Sequence, residues 1–543
     1  MTDAPAMTHR EVLESMSGLL LGLLVAILSS TVVSAALPTI IEDLRGSQSS
    51  FTWVVTATLL TMTVSTPIWG KMADLFDRKL LVQTALVIFV VGSALAGLAQ
   101  STQWLIGCRA IQGIGVGGLT ALVQVVLSDL VSPRERGRYM GILGSVMAVG
   151  TVAGPLLGGV ITDSFLGWRW CFFVGVPIAV AALITLQRTL HLPPRTRRAV
   201  KIDYLGAALI SAGVSAILIW VSLAGHQFAW ASAQTAILVT VGVVSIAAAI
   251  RVEVKSDEPL IPTHLFRDRT PLLAVIASAS VGVGLFGTSV FLSQYLQIAR
   301  GESPTASGLL TIPMMAGILT SSTLIGRRIT KTGRYKKWMV AGAAMLTVGM
   351  ALMGTLDEHT SLVQLSLFMA LVGLGVGMVM QNLVLVVQNS VPLGEIGSAS
   401  ALVTFFRSLG GASGVAVLGA VLGSRASASI TQGLAERGVT GGAAAGGGST
   451  SIPDPGSLPG PVRAIVEHAY ASGTAEIFMV AAPLGLVALI AIALLKEVPL
   501  GTRSGVERQA EVDGALAAGA TGEGGGDAPV TGARREQEPA LAG

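Results

Sequence analysis

The chain reads as fourteen apolar runs of bilayer-spanning length separated by short polar turns. They lie near 17–38, 51–69, 80–99, 104–127, 139–161, 170–187, 204–223, 234–250, 271–297, 306–326, 338–356, 361–390, 399–421 and 474–495. About 20 apolar residues cross a hydrocarbon core as one helix. Only backbone that satisfies its own hydrogen bonds is stable there. The expected fold class is therefore an all-α polytopic membrane protein with 14 transmembrane helices. Charged residues make up 12% of the chain, against about a quarter in soluble domains. A net charge of +4 gives no basis for a nucleic-acid partner.

An even number of spans puts both termini on one side. The lysines and arginines gather on that side, in Lys71–Lys79, Arg134–Arg138, Arg188–Lys201, Arg251–Arg269 and Arg327–Lys337. By the positive-inside rule both termini are expected in the cytoplasm. The first run has no basic leader or cleavage site before it, so it is expected to stay in the mature protein. Cys108 and Cys171 fall in or beside apolar runs and are read as buried free thiols rather than a disulfide. There is no zinc spacing and no phosphate loop, so no metal site and no cofactor are indicated.

Arg109 stands inside the fourth run. A guanidinium stays charged at any working pH. Placing it in hydrocarbon costs roughly 2.5–3.5 kcal/mol or more. Arg109, Gln112, Gly113, Val116, Gly117, Thr120 and Gln124 recur at steps of three and four and so share one helix face. That face should look into protein or a water-filled cavity. The alternative is an arginine that snorkels to the nearer surface.

Other features follow along the chain. Gly70-Lys-Met-Ala-Asp-Leu-Phe-Asp-Arg-Lys79 makes a short link with both signs of charge, suited to charge-assisted bonds with helix ends. Gly150, Gly154 and Gly158 form a small-residue stripe with Pro155 beside it and Gly159 after it, suiting a close-packed, bendable helix. Trp53 is either an interfacial anchor or part of a cavity wall, and Trp168 to Trp170 an interfacial belt. Polar residues recur late: Gln294 and Gln297 on the ninth run, Gln381, Asn382 and Gln388 on the twelfth, and Arg407, which could snorkel, on the thirteenth. Gly326 to Arg334 echoes the Gly70 to Arg78 spacing, with Thr330 in the place of Asp74.

The expected organisation is an N-terminal six-helix bundle over 1–190, a linker and inserted helix pair over 191–255, and a C-terminal six-helix bundle over 256–499. A long external loop is expected over 422–472, with a disordered stretch Gly441–Gly460 inside it, and a disordered cytoplasmic tail over 500–543.

These motifs, in this order, resemble the major facilitator superfamily, and more closely its fourteen-helix drug/proton antiporter branch of the EmrB/QacA type. Gly70–Lys79 is similar to the superfamily's loop motif, Leu105–Gly118 to its helix 4 motif, and Gly150–Gly159 to the antiporter motif of helix 5. Thr31–Pro38, Trp168–Pro177, Glu258–Arg267 and Gln388–Pro392 also match. The resemblance implies two six-helix bundles rocking around a central cavity, with two additional helices outside them. It implies a role for Arg109 in proton coupling, a gate made of Gly70, Asp74 and Arg78, and a leak-free exchange role for Gly154 and Pro155.

One departure stands out. The branch usually carries an acid in helix 1, where this chain has Leu28-Ser29-Ser30-Thr31, and an aromatic after the helix 2 Trp, where it has Thr58. No carboxylate lies in the middle of an apolar run, so the proton carrier is unassigned. Glu42 or Asp43 at the outer end of helix 1, and Asp129 at the inner end of helix 4, are the candidates.

The resulting reading is not an enzyme but a monomeric plasma-membrane exporter that exchanges protons for amphipathic, often antibiotic-like compounds. A substrate cavity is expected from Trp53, Gln112, Gln124, Phe291, Gln294, Met378, Gln381 and Asn382, whose soft and amide side chains can re-pack. The rival is a lipid or glycolipid exporter on the same scaffold, with a lateral opening between helices.

Overall fold

The computed structural model describes residues 9–46, 48–190, 203–224, 227–256, 259–436 and 459–501. Among them the chain is helical, with one isolated bridge between Ala224 and Phe228 and no strand. The helices are α1 (His9–Asp43), α2 (Gln48–Leu75), α3 (Arg78–Gly97), α4 (Thr102–Leu130), α5 (Pro133–Asp163), α6 (Trp170–Phe173), α7 (Gly175–Thr189) and α8 (Tyr204–Leu223). Then follow α9 (Ala233–Glu253), α10 (Arg269–Gln294), α11 (Pro304–Leu310), α12 (Ile312–Thr332), α13 (Lys336–Met353), α14 (Leu362–Ser390), α15 (Ile396–Glu436) and α16 (Gly460–Ala493). A π-helical turn, Tyr295–Ala299, continues α10.

Each of the fourteen apolar runs falls on helix. Eleven helical stretches among the described residues are long and apolar enough to cross a membrane. The turns between them carry start signals the sequence supplies. Asp77, Ser101 and Ser361 each accept a bond from the backbone three residues on, at the starts of α3, α4 and α14. Such caps satisfy donors that a helix start leaves orphaned.

The helices form two six-helix bundles and an additional pair. In the first, α1 packs on α5 and α7, and α4 packs between α2 and α3. In the second the same pairings return: α10 on α15 and α16, and α14 between α12 and α13. The pair α8–α9 docks through α8 against α2 and α15.

Glycines fix the repeat. Gly113, Gly115 and Gly117 on α4 have counterparts in Gly373, Gly375 and Gly377 on α14. A Cβ on Gly117 would stand 2.6 Å from the Met62 carbonyl of α2, and one on Gly377 2.6 Å from the Ile318 carbonyl of α12. On the opposite face, a Cβ on Gly115 would meet the Ala85 carbonyl of α3 at 2.7 Å, and one on Gly375 the Gly342 carbonyl of α13 at 2.6 Å. In both bundles the central helix alternates its glycines between two neighbours, so backbone meets backbone.

The expected loop over 422–472 needs correction. Helix α15 runs on to Glu436, and α16 begins at Gly460. At 41 residues, α15 is about 60 Å long, twice the hydrocarbon thickness. Its extension is held laterally: Ala426 and Leu434 are buried, Gly433 seats against Ile465, and Arg425 Nη2 pairs with Glu476 Oε1 at 2.8 Å. The stretch expected to be disordered within that loop, up to residue 458, and the tail from residue 502 lie outside the described residues, as does the basic segment 191–202.

Candidate functional site

Arg109 is buried three residues before Gln112, one turn along α4. Its Nη1 donates to Gln112 Oε1 at 2.5 Å, and its Nε reaches the Val54 carbonyl of α2 at 3.5 Å. Gln112 Nε2 in turn donates to Ser93 Oγ of α3 at 2.8 Å. Thr58 Oγ1 donates to the Arg109 carbonyl at 3.2 Å. The guanidinium therefore does not snorkel. It ties three helices by neutral acceptors, the usual way an intramembrane cation is tolerated. The polar face of α4 looks into protein, closed against α2, since a Cβ on Gly113 would lie 2.5 Å from the Thr58 carbonyl.

The end of the molecule holding residues 9 and 501 is shut by two helix crossings between the bundles. At the first, α2 meets α15. Asp74 accepts from the backbone N–H of Gly397 and of Ser398, both at 2.8 Å, and from Ser398 Oγ at 2.7 Å. These are the orphan donors at the start of α15, where a carboxylate is favoured by the helix dipole. Gly70 allows the approach, because a Cβ there would stand 2.8 Å from the Gly397 carbonyl. Beside it Arg78 forms an ion pair with Asp129 of α4 and donates through Nε to the Ala73 carbonyl at 3.0 Å.

At the second crossing, α5 meets α12. A Cβ on Gly137 would lie 2.8 Å from the Gly326 carbonyl. Arg134 donates to the Thr330 and Lys331 carbonyls at 3.2 and 3.1 Å. Arg136, fully buried, donates to the Ser128 and Val131 carbonyls at the end of α4 and to Gln388 Oε1 of α14 at 3.1 Å. Gln388 Nε2 donates onward to the Gln124 carbonyl and to Ser400 Oγ of α15. One amide thus joins α4, α5, α14 and α15. Arg136 was not singled out in the sequence, because it sits in a basic turn whose other arginines face solvent.

On the antiporter-like stripe, Thr31 Oγ1 donates to the Gly150 carbonyl at 3.0 Å. A Cβ on Gly154 would meet Thr31 Cβ at 2.5 Å. Gly159 has open space beside it, and α5 runs unbroken through position 155. Gly158 is buried. Ser29, in place of the family acid, is buried against Gly175 of α7.

Of the three proton-carrier candidates, Asp129 and Asp43 stand in ion pairs. Asp129 is the partner of Arg78 at the closed end, not a mid-span acid. Asp43, at the far end of α1, accepts from Trp168 Nε1 at 2.9 Å and Arg169 Nη1 at 3.2 Å. The Trp168 bond, then the Arg169 bond and charge, hold its carboxyl below the usual range, so it is ionised at neutral pH and poorly matched to proton exchange there. The same contacts correct the Trp168 assignment: its ring is buried under Arg169, 4.3 Å from the guanidinium carbon, while Trp170 remains exposed.

The expected cavity residues divide. Gln112 is spent on Arg109, and Met378 packs against Gly342 of α13. Phe291 is buried, with Gln294 half-buried one turn away, and Trp53 is half-buried beside Val54. Gln381 Nε2 crosses between bundles to Met147 Sδ at 3.4 Å, and Asn382 Nδ2 donates to the Met378 carbonyl at 2.7 Å. The side-chain oxygens of Gln124, Gln381 and Asn382 are buried without a partner among the described residues. Arg407 does not snorkel; it is buried, with Nη1 3.4 Å from the Met380 carbonyl. Cys108 and Cys171 are free and buried. A separate apolar cavity of about 370 Å³ lies between α2, α4 and α8, lined by Leu60, Val64, Ile68, Trp69, Ile114 and Ser215 among others.

A family model described as Major Facilitator Superfamily matches residues 19–415. An MFS-type transporter of Mycobacterium tuberculosis is 36% identical over 491 residues, covering 89% of this chain and 69% of the relative. The multidrug transporter protein MdtP of Bacillus subtilis is 35% identical over 418 residues, covering 77% and 76%. Among solved structures, the proton:xylose symporter XylE superposes with a TM-score of 0.60 at 16% identity, covering 93% of this chain and all of that one; this likeness concerns the fold.

Proposed function

The chain belongs to the major facilitator superfamily of membrane transporters, and from that premise we propose that it exports amphipathic compounds in exchange for protons, as a member of the fourteen-helix drug/proton antiporter branch. The observation that carries the reading is the closed end. Two crossings between the bundles meet backbone to backbone at glycine, and each is fastened by polar groups that can part without unfolding either bundle. Such a seam suits alternating access, in which two rigid units expose a shared site to one side at a time. The units are taken as 1–190 and 256–499, with the linker and helix pair of 191–255 outside. The closed end is taken as cytoplasmic, in the plasma membrane.

In this mechanism Gly70, Asp74 and Arg78 latch the inner gate. Gly150, Gly154, Pro155, Gly158 and Gly159 let α1 and α5 move against each other. Arg109, which cannot release a proton, orders the hydrogen-bonded network beside it. When the seam opens, the unpaired oxygens of Gln124, Gln381 and Asn382 become acceptors for an ammonium or amide on the substrate. Phe291, Gln294, Trp53 and the methionines supply adaptable apolar wall. The name of one relative, the multidrug transporter of Bacillus subtilis, supports this substrate class. A 100 mV potential supplies about 2.3 kcal/mol for each charge that moves.

The test is ethidium efflux from cells expressing the chain, with and without a protonophore. Energised efflux that collapses with the protonophore, and is lost in Arg109→Lys at equal expression, is the expected result. Efflux indifferent to the protonophore would refute proton coupling. The apolar cavity beside α8 favours one second reading, a lateral path for lipid; transfer of labelled lipid without dye efflux would select it.

A further inference from the structure

Arg407 is buried in α15, 5% exposed. Its one side-chain bond among the described residues runs from Nη1 to the Met380 carbonyl of α14, at 3.4 Å. Arg109, by contrast, meets both the Gln112 amide oxygen and the Val54 carbonyl. Most of the donor fork of Arg407 is left unused, although a guanidinium stays charged at any working pH. A buried charge held this way is costly until a counter-group arrives.

The internal repeat shows where that fork stands. Helix α15 takes in the second bundle the place of α5 in the first, and each crosses the opposite bundle at a glycine, Gly397 against Gly70 and Gly137 against Gly326. Arg407 follows Gly397 by ten residues, and Met147 follows Gly137 by ten. Both thus lie about 15 Å along the helix from the closed seam, near the middle of a hydrocarbon core. The Met147 position faces the opposite bundle, since Gln381 Nε2 of α14 reaches its Sδ at 3.4 Å. Arg407 holds the equivalent position, beside the stretch of α14 that carries the unpartnered oxygens of Gln381 and Asn382.

Among the described residues, the helices packed on α15 bring no acid to it at this depth. Helices α8, α10 and α14 contain no Asp or Glu. Asp74 of α2 is engaged at the seam, and Asp129 of α4 pairs with Arg78. Glu467 and Glu476 of α16 pair with Arg463 and Arg425. The acid of α15 itself, Glu436, is its last residue.

We propose that Arg407 is an anion subsite of the shared site between the bundles, and that the exported compounds include amphipathic acids and zwitterions whose carboxylate it binds. A carboxylate matches the guanidinium fork with two parallel bonds. The amide oxygens beside it accept an ammonium or amide of the same molecule. This inference rests on the export reading and names its substrate class.

Fluorescence anisotropy of the purified full-length protein tests it, with a rhodamine bearing a free carboxylate and with the ethyl ester of the same dye. The acid should bind about 10-fold more tightly than the ester, the worth of a charge-assisted hydrogen bond. In Arg407→Gln the two affinities should become equal, and Arg407→Lys, which keeps the charge but not the fork, should retain part of the preference. Equal affinities in the unaltered protein, or an acid preference that survives Arg407→Gln, overturns the proposal. Should Arg407→Gln fail to fold, Gln381→Glu serves instead. Its near-isosteric carboxylate follows directly on the residue whose carbonyl Arg407 meets, gives the guanidinium an anion of the protein's own, and should erase the preference. A preference unchanged in that variant also overturns the subsite. The export reading fails separately: ester efflux indifferent to a protonophore would refute proton coupling and leave the acid preference standing, whereas equal binding of the two dyes alongside energised efflux would sink the subsite alone.

Discussion

The two crossings that close the molecule use opposite charges for one purpose. At α2/α15 an acid of the first bundle, Asp74, binds N–H groups at the start of a helix in the second. At α5/α12 a base of the first bundle, Arg134, binds carbonyls at the end of a helix in the second. Each charge complements the end of the helix dipole it meets. The sequence echo accounts for the difference. Thr330 stands where Asp74 stands in the other motif, its hydroxyl turned back to the Gly326 carbonyl, so the second crossing takes its charge from the partner helix instead. A repeat can therefore keep its glycines and backbone contacts while moving its charge to the other side of the seam.

Removing the space at either crossing should have the largest effect. Gly70→Leu and Gly137→Leu each force a side chain against a facing carbonyl 2.8 Å from the new Cβ, and each should abolish transport with expression intact. Transport by one of them would show that its crossing does not close tightly in the cycle. Next come the fasteners. Gln388→Leu leaves the buried Arg136 short of an acceptor, at a cost of about 1–3 kcal/mol, read as lower thermal stability. Asp74→Asn should weaken the closed state by about 1–2 kcal/mol, roughly 5- to 30-fold in population, read by cysteine accessibility between α2 and α15. Equal accessibility in the parent and the variant would make the acid incidental.

Arg134→Ala should cost at most about 1 kcal/mol, because its bonds are exposed to competing water. The smallest effect belongs to the far end. Asp43, held below the usual carboxylate range by Trp168 and Arg169, contributes stability above the ordinary carboxylate pKa that fades as pH falls through its lowered value. Asp43→Asn should thus lower the melting temperature slightly at neutral pH, and the gap should close on strong acidification. A gap that persists in acid would rule out the ionic part of that contact.

Much of the fold was legible because bilayer-length runs leave the backbone little choice. The burial of Arg109 was legible too, since its helical neighbours at steps of three and four were polar or small. The partners were not. Nothing near Arg136 in the chain distinguished it from Arg134, and its acceptor Gln388 lies 252 residues away. The extension of α15 escaped notice because residues beyond a membrane-length run carry no hydropathy signal; packing on α16 sets its length.

The sequence by itself determined the placing of the apolar helices and many of the glycines where they touch, because backbone in hydrocarbon must bond to itself and only small residues admit close approach. The tertiary structure alone decided which polar group meets which. Inside a bilayer no hydrophobic force sorts one helix face from another, so each buried charge takes the partner that close packing brings within reach.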